Sequence, residues 1–157
     1  MKVFISHKKE DELVAMQIAI RLKRDNIEYY LDVLDPTITG NGERLTEHIK
    51  SSLGTCTDII VVISEKTRYS QWVPFEVGMA ARTDMPTATY LSREVPLPEF
   101  LSYWPRLRNV DDIDTYVRVR NETREQMAKQ YGSYMTAASH KAVETRTFYS
   151  NLKKELR

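Results

Sequence analysis

The chain has 157 residues, a length that suits one domain with a single hydrophobic core. Its 23 lysines and arginines against 22 aspartates and glutamates give a formal net charge of +1, which provides no field for nucleic acid or an anionic membrane. Cys56 is the single cysteine, so no disulfide can form within the chain, and no apolar run reaches the length of a signal-peptide core or a membrane span. We therefore expect a cytoplasmic protein in which Cys56 is a small buried apolar residue.

The first forty residues predict a strand, a helix and a second strand. Residues 2–6 and 28–33 have the aliphatic and aromatic content of strands. Between them, acidic residues followed by apolar residues at roughly helical spacing and a basic end indicate a helix. Its expected buried stripe consists of Leu13, Met16, Ile20 and Leu22. Residues 34–42 then contain Asp-Pro and Gly-Asn-Gly, which predict a loop long enough to be functional.

The middle of the chain predicts a buried strand between two helices. The first helix starts near residue 43 and has Gly54 at its expected C-cap. Its apolar residues recur every four positions, at Leu45, Ile49 and Leu53. Residues 59–63 are β-branched without polar alternation, as in a strand covered on both faces of a parallel sheet. Pro74 suits the first turn of the next helix, whose expected buried stripe is Trp72, Phe75, Met79 and Ala80.

The last part of the chain predicts two more strands and then helices only. The strands are expected at residues 87–91 and 106–110, with one helical turn at 99–104 between them. Asp111 or Asp112 can cap a helix whose inner face would carry Ile113, Tyr116 and Val117. Two helices are expected over residues 122–156, broken near Ser139-His140. This alternation predicts an α/β fold of flavodoxin-like outline: a five-stranded parallel sheet with helices on both faces, plus extra C-terminal helices.

Polar side chains follow three neighbouring strands of the predicted sheet. Ser6-His7 ends the first strand, Asp32 ends the second and Glu76 comes shortly after the third. Because the carboxyl ends of parallel strands meet at one rim, we expect these groups to lie together. Ser6 and Asp32 could also be helix caps, and Glu76 could be a surface residue that complements the helix dipole. Its apolar neighbours on the helix, Trp72 and Ala80, favour a carboxylate that faces a cleft.

Several common sites are not indicated. Gly40-Asn41-Gly42 lacks the third glycine and the strand-helix context of a dinucleotide fingerprint. His7, His48 and His140 are dispersed and have no carboxylate or cysteine at metal-ligand spacing. No Gly-x-Ser-x-Gly elbow of a serine hydrolase is present. We therefore expect no metal and no bound cofactor.

Four segments carry a family resemblance. They are Val3-Phe4-Ile5-Ser6-His7, the loop end Gly42-Glu43-Arg44-Leu45, the strand at residues 58–64 and the element at residues 70–76. In this order and spacing they resemble a Toll/interleukin-1 receptor (TIR) domain over about residues 1–120. Residues 121–157 are then a helical extension, which we expect to pack on the same domain. The resemblance is closest to bacterial and plant-type TIR domains.

The resemblance implies an activity and its residues. In such domains a tryptophan four residues before a glutamate marks the catalytic helix, which corresponds here to Trp72 and Glu76. Many cleave the nicotinamide–ribose bond of NAD, and stand-alone bacterial forms act in anti-phage defence, including the Thoeris type. The loop at residues 36–44 would gate the site and mediate TIR–TIR assembly, and a downstream effector could sense the nucleotide product. NAD would be a substrate, not a cofactor.

The chemistry of this reaction suits one fixed carboxylate. Glu76 would hold the ribose hydroxyls and stabilise the oxocarbenium-like ribose. Substrate-binding residues would be Ser6, His7, Lys8, Asp32, Ser70 and Trp72, with Lys8 placed for a phosphate, while the Trp72 indole could instead pack beneath the helix. Two rivals remain: a non-catalytic TIR scaffold that signals by homotypic contact, and an enzyme like the nucleoside deoxyribosyltransferases, which also place a glutamate at a strand end.

Overall fold

A five-stranded parallel sheet organises the chain. The computed structural model describes residues 1–31, 41–91, 93, 95–131 and 136–156. The strands are β1 (Lys2–Ser6), β2 (Glu28–Leu31), β3 (Asp58–Val62), β4 (Thr87–Tyr90) and β5 (Arg106–Leu107). They lie in the order β2-β1-β3-β4-β5, and every neighbouring pair is parallel. The predicted α/β fold is confirmed.

Five α-helices in the described residues cover the sheet. They are α1 (Glu12–Arg24), α2 (Gly42–Gly54), α3 (Trp72–Arg82), α4 (Asp111–Tyr131) and α5 (Ala137–Glu155), with 3-10 turns at Lys9–Asp11 and Glu99–Tyr103. Residues of α1, α4 and α5 form one core with alternate strand residues such as Ile5 and Ile60, while α2 and α3 form a second core with Phe4 and Ile59. None of these helices combines the length and apolar character needed to cross a bilayer.

Strand β3 fixes the position of the predicted site. All five of its residues are buried, as its β-branched composition predicts for a strand covered on both faces. Its register with β1 places Phe4 beside Ile59 and Ser6 beside Val61. The chain runs from β1 outward to β2 and then returns to the other side of β1 as β3. The carboxyl ends of β1 and β3 therefore form the switch point at which open α/β sheets bind ligands.

The predicted inner face of α1 is wrong. Leu13, Met16 and Ile20 are 78%, 47% and 67% exposed, and of the predicted stripe only Leu22 is buried. The helix instead turns a different set of residues to the sheet: Ala15, Ile18, Ala19 and Leu22. The helix carries two apolar faces, and the one with small alanines allows a closer approach to the strands.

The predicted stripe of α3 is also corrected. Trp72, Phe75 and Met79 are half-buried, and of that stripe only Ala80 is buried. The buried face consists of Val73, Glu76, Val77 and Ala80. This face is rotated by about one residue, or about 100°, from the predicted one, because the compact valines contact the sheet and the large rings lie beside them.

The other helices follow the sequence more closely. The predicted inner residues of α2 and α4 are buried, namely Leu45, Ile49, Leu53, Ile113, Tyr116 and Val117, and so is Cys56. Gly54 is the last residue of α2, and Thr55 is its C-cap. Gly42, predicted as the end of the loop, is the first residue of α2, and the side chain of the N-cap Asn41 accepts a hydrogen bond from Arg44 N at 3.1 Å.

The C-terminal helices continue the domain without a break at residue 120. Helix α4 runs through that position. The two predicted helices are present, but α5 begins at Ala137 with Thr136 as its N-cap, so Ser139-His140 lies in its first turn and not at a break. Residues Phe148, Tyr149 and Leu152 of α5 are buried in the same core as α1.

Candidate functional site

The carboxylate of Glu76 meets the end of β1. Glu76 lies on the buried face of α3 and is 3% exposed, while Ser6, the last residue of β1, is fully buried. The Ser6 hydroxyl donates a hydrogen bond to Glu76 Oε2. Because α3 follows β3 and β3 pairs with β1, the helix brings its glutamate across to the neighbouring strand end. Two of the residues predicted from the sequence therefore contact each other.

His7 and Lys8 continue from Ser6 along the same rim. The His7 ring is 7% exposed, and its Nδ1 lies 3.1 Å from the Ile5 carbonyl oxygen. Donation from Nδ1–H to this carbonyl leaves Nε2 as an acceptor in the neutral ring. Lys8 is half-buried at the start of the 3-10 turn, where its carbonyl accepts from Asp11 N at 2.8 Å. Asp32, predicted for the same rim, lies outside the described residues.

The loop between β3 and α3 is hydrogen-bonded to the start of α1. The Thr67 hydroxyl donates to the Asp11 carboxylate, and it accepts from Ser64 N at 3.0 Å. Thr67 is 1% exposed and Asp11 5%. The sequence interpretation missed both contacts. The spacing Ser64-x-x-Thr67 could have indicated the local bond to Ser64 N, whereas no local pattern indicates the bond between Thr67 and Asp11. The contact fixes the loop that leads into the Glu76 helix.

Ser70 closes this loop with a buried hydroxyl. Its backbone N donates to the Thr67 carbonyl at 2.8 Å, and the residue is 7% exposed. Within the part of the chain that the structure describes, Ser70 Oγ has no hydrogen-bond partner. A buried hydroxyl in this state needs a partner such as a ligand or a water molecule. Ser70 is thus a polar group available at the entrance to α3.

Trp72 lies one turn before Glu76 on α3. Its indole is half-buried and packs edge-to-face on Phe75, with ring centroids 6.1 Å apart and an interplanar angle of 85°. This contact anchors one side of the indole and leaves part of its surface exposed. The position of Trp72 therefore suits both an indole that packs against the protein and an indole that stacks on a substrate ring.

An open cleft of about 380 Å³ adjoins this rim. Its walls come from the residues that follow β1, β3 and β4, and they carry charges of both signs: Glu10, Asp11, Glu65, Lys66 and Arg93. Mixed charges of this kind suit a polar ligand better than an apolar one, but Glu76, Ser6 and Ser70 are not among the described residues that line the cleft. Among the described residues, no group of three or more histidine, cysteine, aspartate or glutamate side chains is arranged to hold a metal ion.

Comparisons with known proteins agree with this architecture. A family model for the TIR domain matches residues 3–129. Among solved structures, the chain is similar to the TIR domain of a Toll-related receptor from the lower metazoan Hydra magnipapillata, with 23% sequence identity and a TM-score of 0.57. That match covers 78% of this chain and 95% of the Hydra chain, and at this identity it shows the fold alone. No curated protein matches the sequence.

Proposed function

Because the chain belongs to the TIR-domain family, we propose that it cleaves the nicotinamide–ribose bond of NAD. The products would be nicotinamide and a linear, cyclic or conjugated ADP-ribose, used as a signal in bacterial anti-phage defence of the Thoeris type. The observation that carries the proposal is the Glu76 carboxylate, which is buried at the switch point of the sheet and accepts from Ser6.

A single buried carboxylate is sufficient for this reaction. The nicotinamide nitrogen of NAD is cationic and leaves as a neutral molecule, so the leaving group needs no general acid. The barrier comes from the positive charge that develops on the ribose, and a fixed anion in a site cleared of water stabilises that charge strongly. Glu76 supplies the anion, and the bond from Ser6 orients its carboxylate. Water or another acceptor would then attack the ribose carbon.

The surrounding residues would position the dinucleotide. Ser70 Oγ, which is buried and unpaired within the described residues, would bond to a substrate hydroxyl. His7 and Lys8 would face the nucleotide from the end of β1, with the Lys8 ammonium near a phosphate. Trp72 and Asp32 would line the remaining sides. The protein would act in the cytoplasm, self-associate through the loop at residues 36–44 and pass its product to an effector.

The test is the substitution Glu76→Gln. Glutamine keeps the shape of the side chain and an oxygen that can accept from Ser6, but it removes the negative charge. We expect nicotinamide release to fall by at least about 100-fold, which corresponds to a loss of about 3 kcal/mol of transition-state stabilisation. Glu47→Gln is the matched control, because Glu47 is an exposed glutamate on α2. Nicotinamide release from NAD is followed by chromatography, and mass spectrometry identifies the nucleotide product.

A non-catalytic scaffold is the second candidate. Glu76 is 3% exposed and accepts a hydrogen bond from Ser6, and a buried carboxylate with a purely structural role would show the same features. The similar Hydra chain is the TIR domain of a receptor. A wild-type protein that releases no nicotinamide at any concentration favours the scaffold. A Glu76→Gln variant with wild-type turnover removes Glu76 from the mechanism, whichever enzyme class applies.

A further inference from the structure

A second cleft, of about 610 Å³, lies beside β5 at the edge of the sheet. Its walls come from the end of the 3-10 turn at Glu99–Tyr103, from β5 and from the last turn of α5. Its charged lining residues are Arg106, Arg108 and Lys153, and none of its described lining residues is an acid. The cleft therefore has a positive potential. It shares no described lining residue with the cleft beside the rim.

Two of the three cations are held in place by carbonyl groups. Arg108 Nη1 donates to the Leu156 carbonyl oxygen at 3.1 Å, and Lys153 Nζ donates to the Tyr103 carbonyl oxygen at 2.6 Å. A carbonyl group positions a cation but does not neutralise it, and one such bond leaves most donors of an arginine or lysine available. Both side chains can therefore bind an anion without leaving these contacts.

The acids of the neighbouring helices are engaged elsewhere. Asp111 pairs with Arg21 at 2.6 Å, and Glu155 of α5 pairs with Arg118 of α4 at 3.2 Å. Asp112 accepts a hydrogen bond from the backbone N of residue 108 at 2.6 Å, and no side-chain ion pair joins it to a described arginine. These carboxylates therefore do not cancel the charge of the cleft.

Arg106 is the cation that the fold does not explain. The negative end of the α5 dipole accounts for Arg108 and Lys153 beside it, whereas Arg106 belongs to β5. It is half-buried, and among the described residues its side chain has neither a hydrogen bond nor an ion pair. A partly buried charge without a partner is costly, and an anion bound in the cleft would compensate it.

Trp104 adds an aromatic surface to the same cleft. Its indole is half-buried and packs edge-to-face with Tyr103, with ring centroids 5.4 Å apart, while part of it lines the cleft. The volume of the cleft is much larger than a bare phosphate ion and is typical of small-molecule sites. Cations and an exposed ring together suit a ligand that has both phosphates and an aromatic base.

We propose that this cleft binds a nucleoside diphosphate, with its phosphates on Arg106, Arg108 and Lys153 and its base against the Trp104 indole. A nucleoside diphosphate carries about three negative charges at neutral pH, which match the three cations. Stacking on an aromatic ring does not select one base, so diphosphates of different nucleosides would bind. The cleft is separate from the rim at Glu76, and the proposal holds whether or not the chain cleaves NAD.

Titration calorimetry with ADP tests the charges. We expect the wild type to bind one ADP per chain with a Kd below about 1 mM, and Arg106→Gln to raise this Kd about tenfold or more. Arg124→Gln, a change of an exposed arginine on α4, is the matched control and should leave the Kd unchanged. Glu76→Gln should leave it unchanged as well. A Kd that responds to Glu76→Gln but not to Arg106→Gln would place ADP at the rim and overturn the proposal, as would a wild type that binds no ADP.

Tryptophan fluorescence tests the base independently. The chain has two tryptophans, so Trp72→Phe leaves Trp104 as the single one. In this variant we expect ADP to quench the Trp104 emission with the Kd that calorimetry gives. Inorganic pyrophosphate, which has no base, should bind at least about fivefold more weakly and leave the emission unchanged. Pyrophosphate that binds as tightly as ADP, or ADP that binds without changing the Trp104 emission, would overturn the assignment of a nucleotide.

Discussion

At the residue scale, Ser6 and Glu76 form the contact on which the site depends. Ser6 is fully buried at the end of a central strand, and its hydroxyl reaches a carboxylate on a helix seventy residues later in the chain. A buried carboxylate is costly unless donors compensate for the lost water. The same bond therefore stabilises the fold and fixes the direction in which the carboxylate points.

The substitution Ser6→Ala separates these two effects. It removes the donor and leaves the Glu76 carboxylate less well compensated, so we expect the free energy of unfolding to fall by about 1–3 kcal/mol. Nicotinamide release should fall as well. Combining Ser6→Ala with Glu76→Gln should cost less than the sum of the two changes, because both act on one contact. Denaturant unfolding measures the stability, with the exposed Ser51→Ala as control. Additive effects would show that the contact is not energetically coupled.

At the scale of elements, a buried ionic cluster joins β3, α4 and α5. Asp58, the first residue of β3, lies 2.9 Å from Arg120 Nε, and Tyr116 OH donates to the same oxygen at 2.9 Å. Burial raises the pKa of Tyr116 well above its ordinary value, and the charge of Asp58 raises it further, so the phenol stays a donor. Arg120 also pairs with Glu144 of α5. Helix α5 is therefore linked to the sheet by ion pairs through Arg120 as well as by apolar packing.

Loss of Arg120 should be far more costly than loss of an exposed arginine on the same helix. Arg120→Met leaves Asp58 buried without its cation, and breaking a buried pair in this way costs about 3–5 kcal/mol. Arg118 pairs with Glu122 and Glu155 at half-exposed positions, so Arg118→Met should cost less than about 1 kcal/mol. Urea unfolding of both variants checks the comparison, and equal losses would refute the role assigned to the cluster.

At the scale of the whole molecule, the candidate site and the exposed face of α1 are separate features. Glu76 is buried among α3, β1 and β3, whereas Leu13, Met16 and Ile20 of α1 are exposed. The Asp11–Thr67 contact lies between them, because it links the start of α1 to the loop that enters α3. This contact therefore connects the start of α1 to the helix that carries Glu76.

We expect the NAD cleavage rate per molecule to rise as the wild-type protein is concentrated. The reason is that the proposed activity includes assembly of neighbouring copies through the loop at residues 36–44, which would gate the site. Rates are compared over a hundredfold or wider range of protein concentration. A constant rate per molecule would mean that each monomer has a complete site, even if Glu76 is catalytic.

Gly42 begins helix α2, so a substitution there acts on the end of a helix. Gly42 is the first residue of the first turn of α2. A Cβ atom added at this position would have no atom within 4 Å. Proline is favoured at this position of a helix, because its missing N–H would be unpaired anyway. The substitution Gly42→Pro is therefore expected to leave the fold intact, and thermal unfolding of the variant checks this expectation.

Three features could be predicted from the sequence: the order of the strands and helices along the chain, the parallel sheet, and the rim at which Ser6 and Glu76 meet. These follow from local signals: β-branched runs without alternation, helix caps and the alternation of short strands with helices. The buried faces of α1 and α3 could not be predicted, because they depend on the packing of the folded chain. Both helices carry two apolar faces, and periodicity cannot choose between them, because the choice depends on how closely Ala15 and Ala19, or Val73 and Val77, fit against the sheet. The Asp58–Arg120–Glu144 cluster was likewise beyond local reasoning, since its members come from three elements that only the packing of the whole chain brings together.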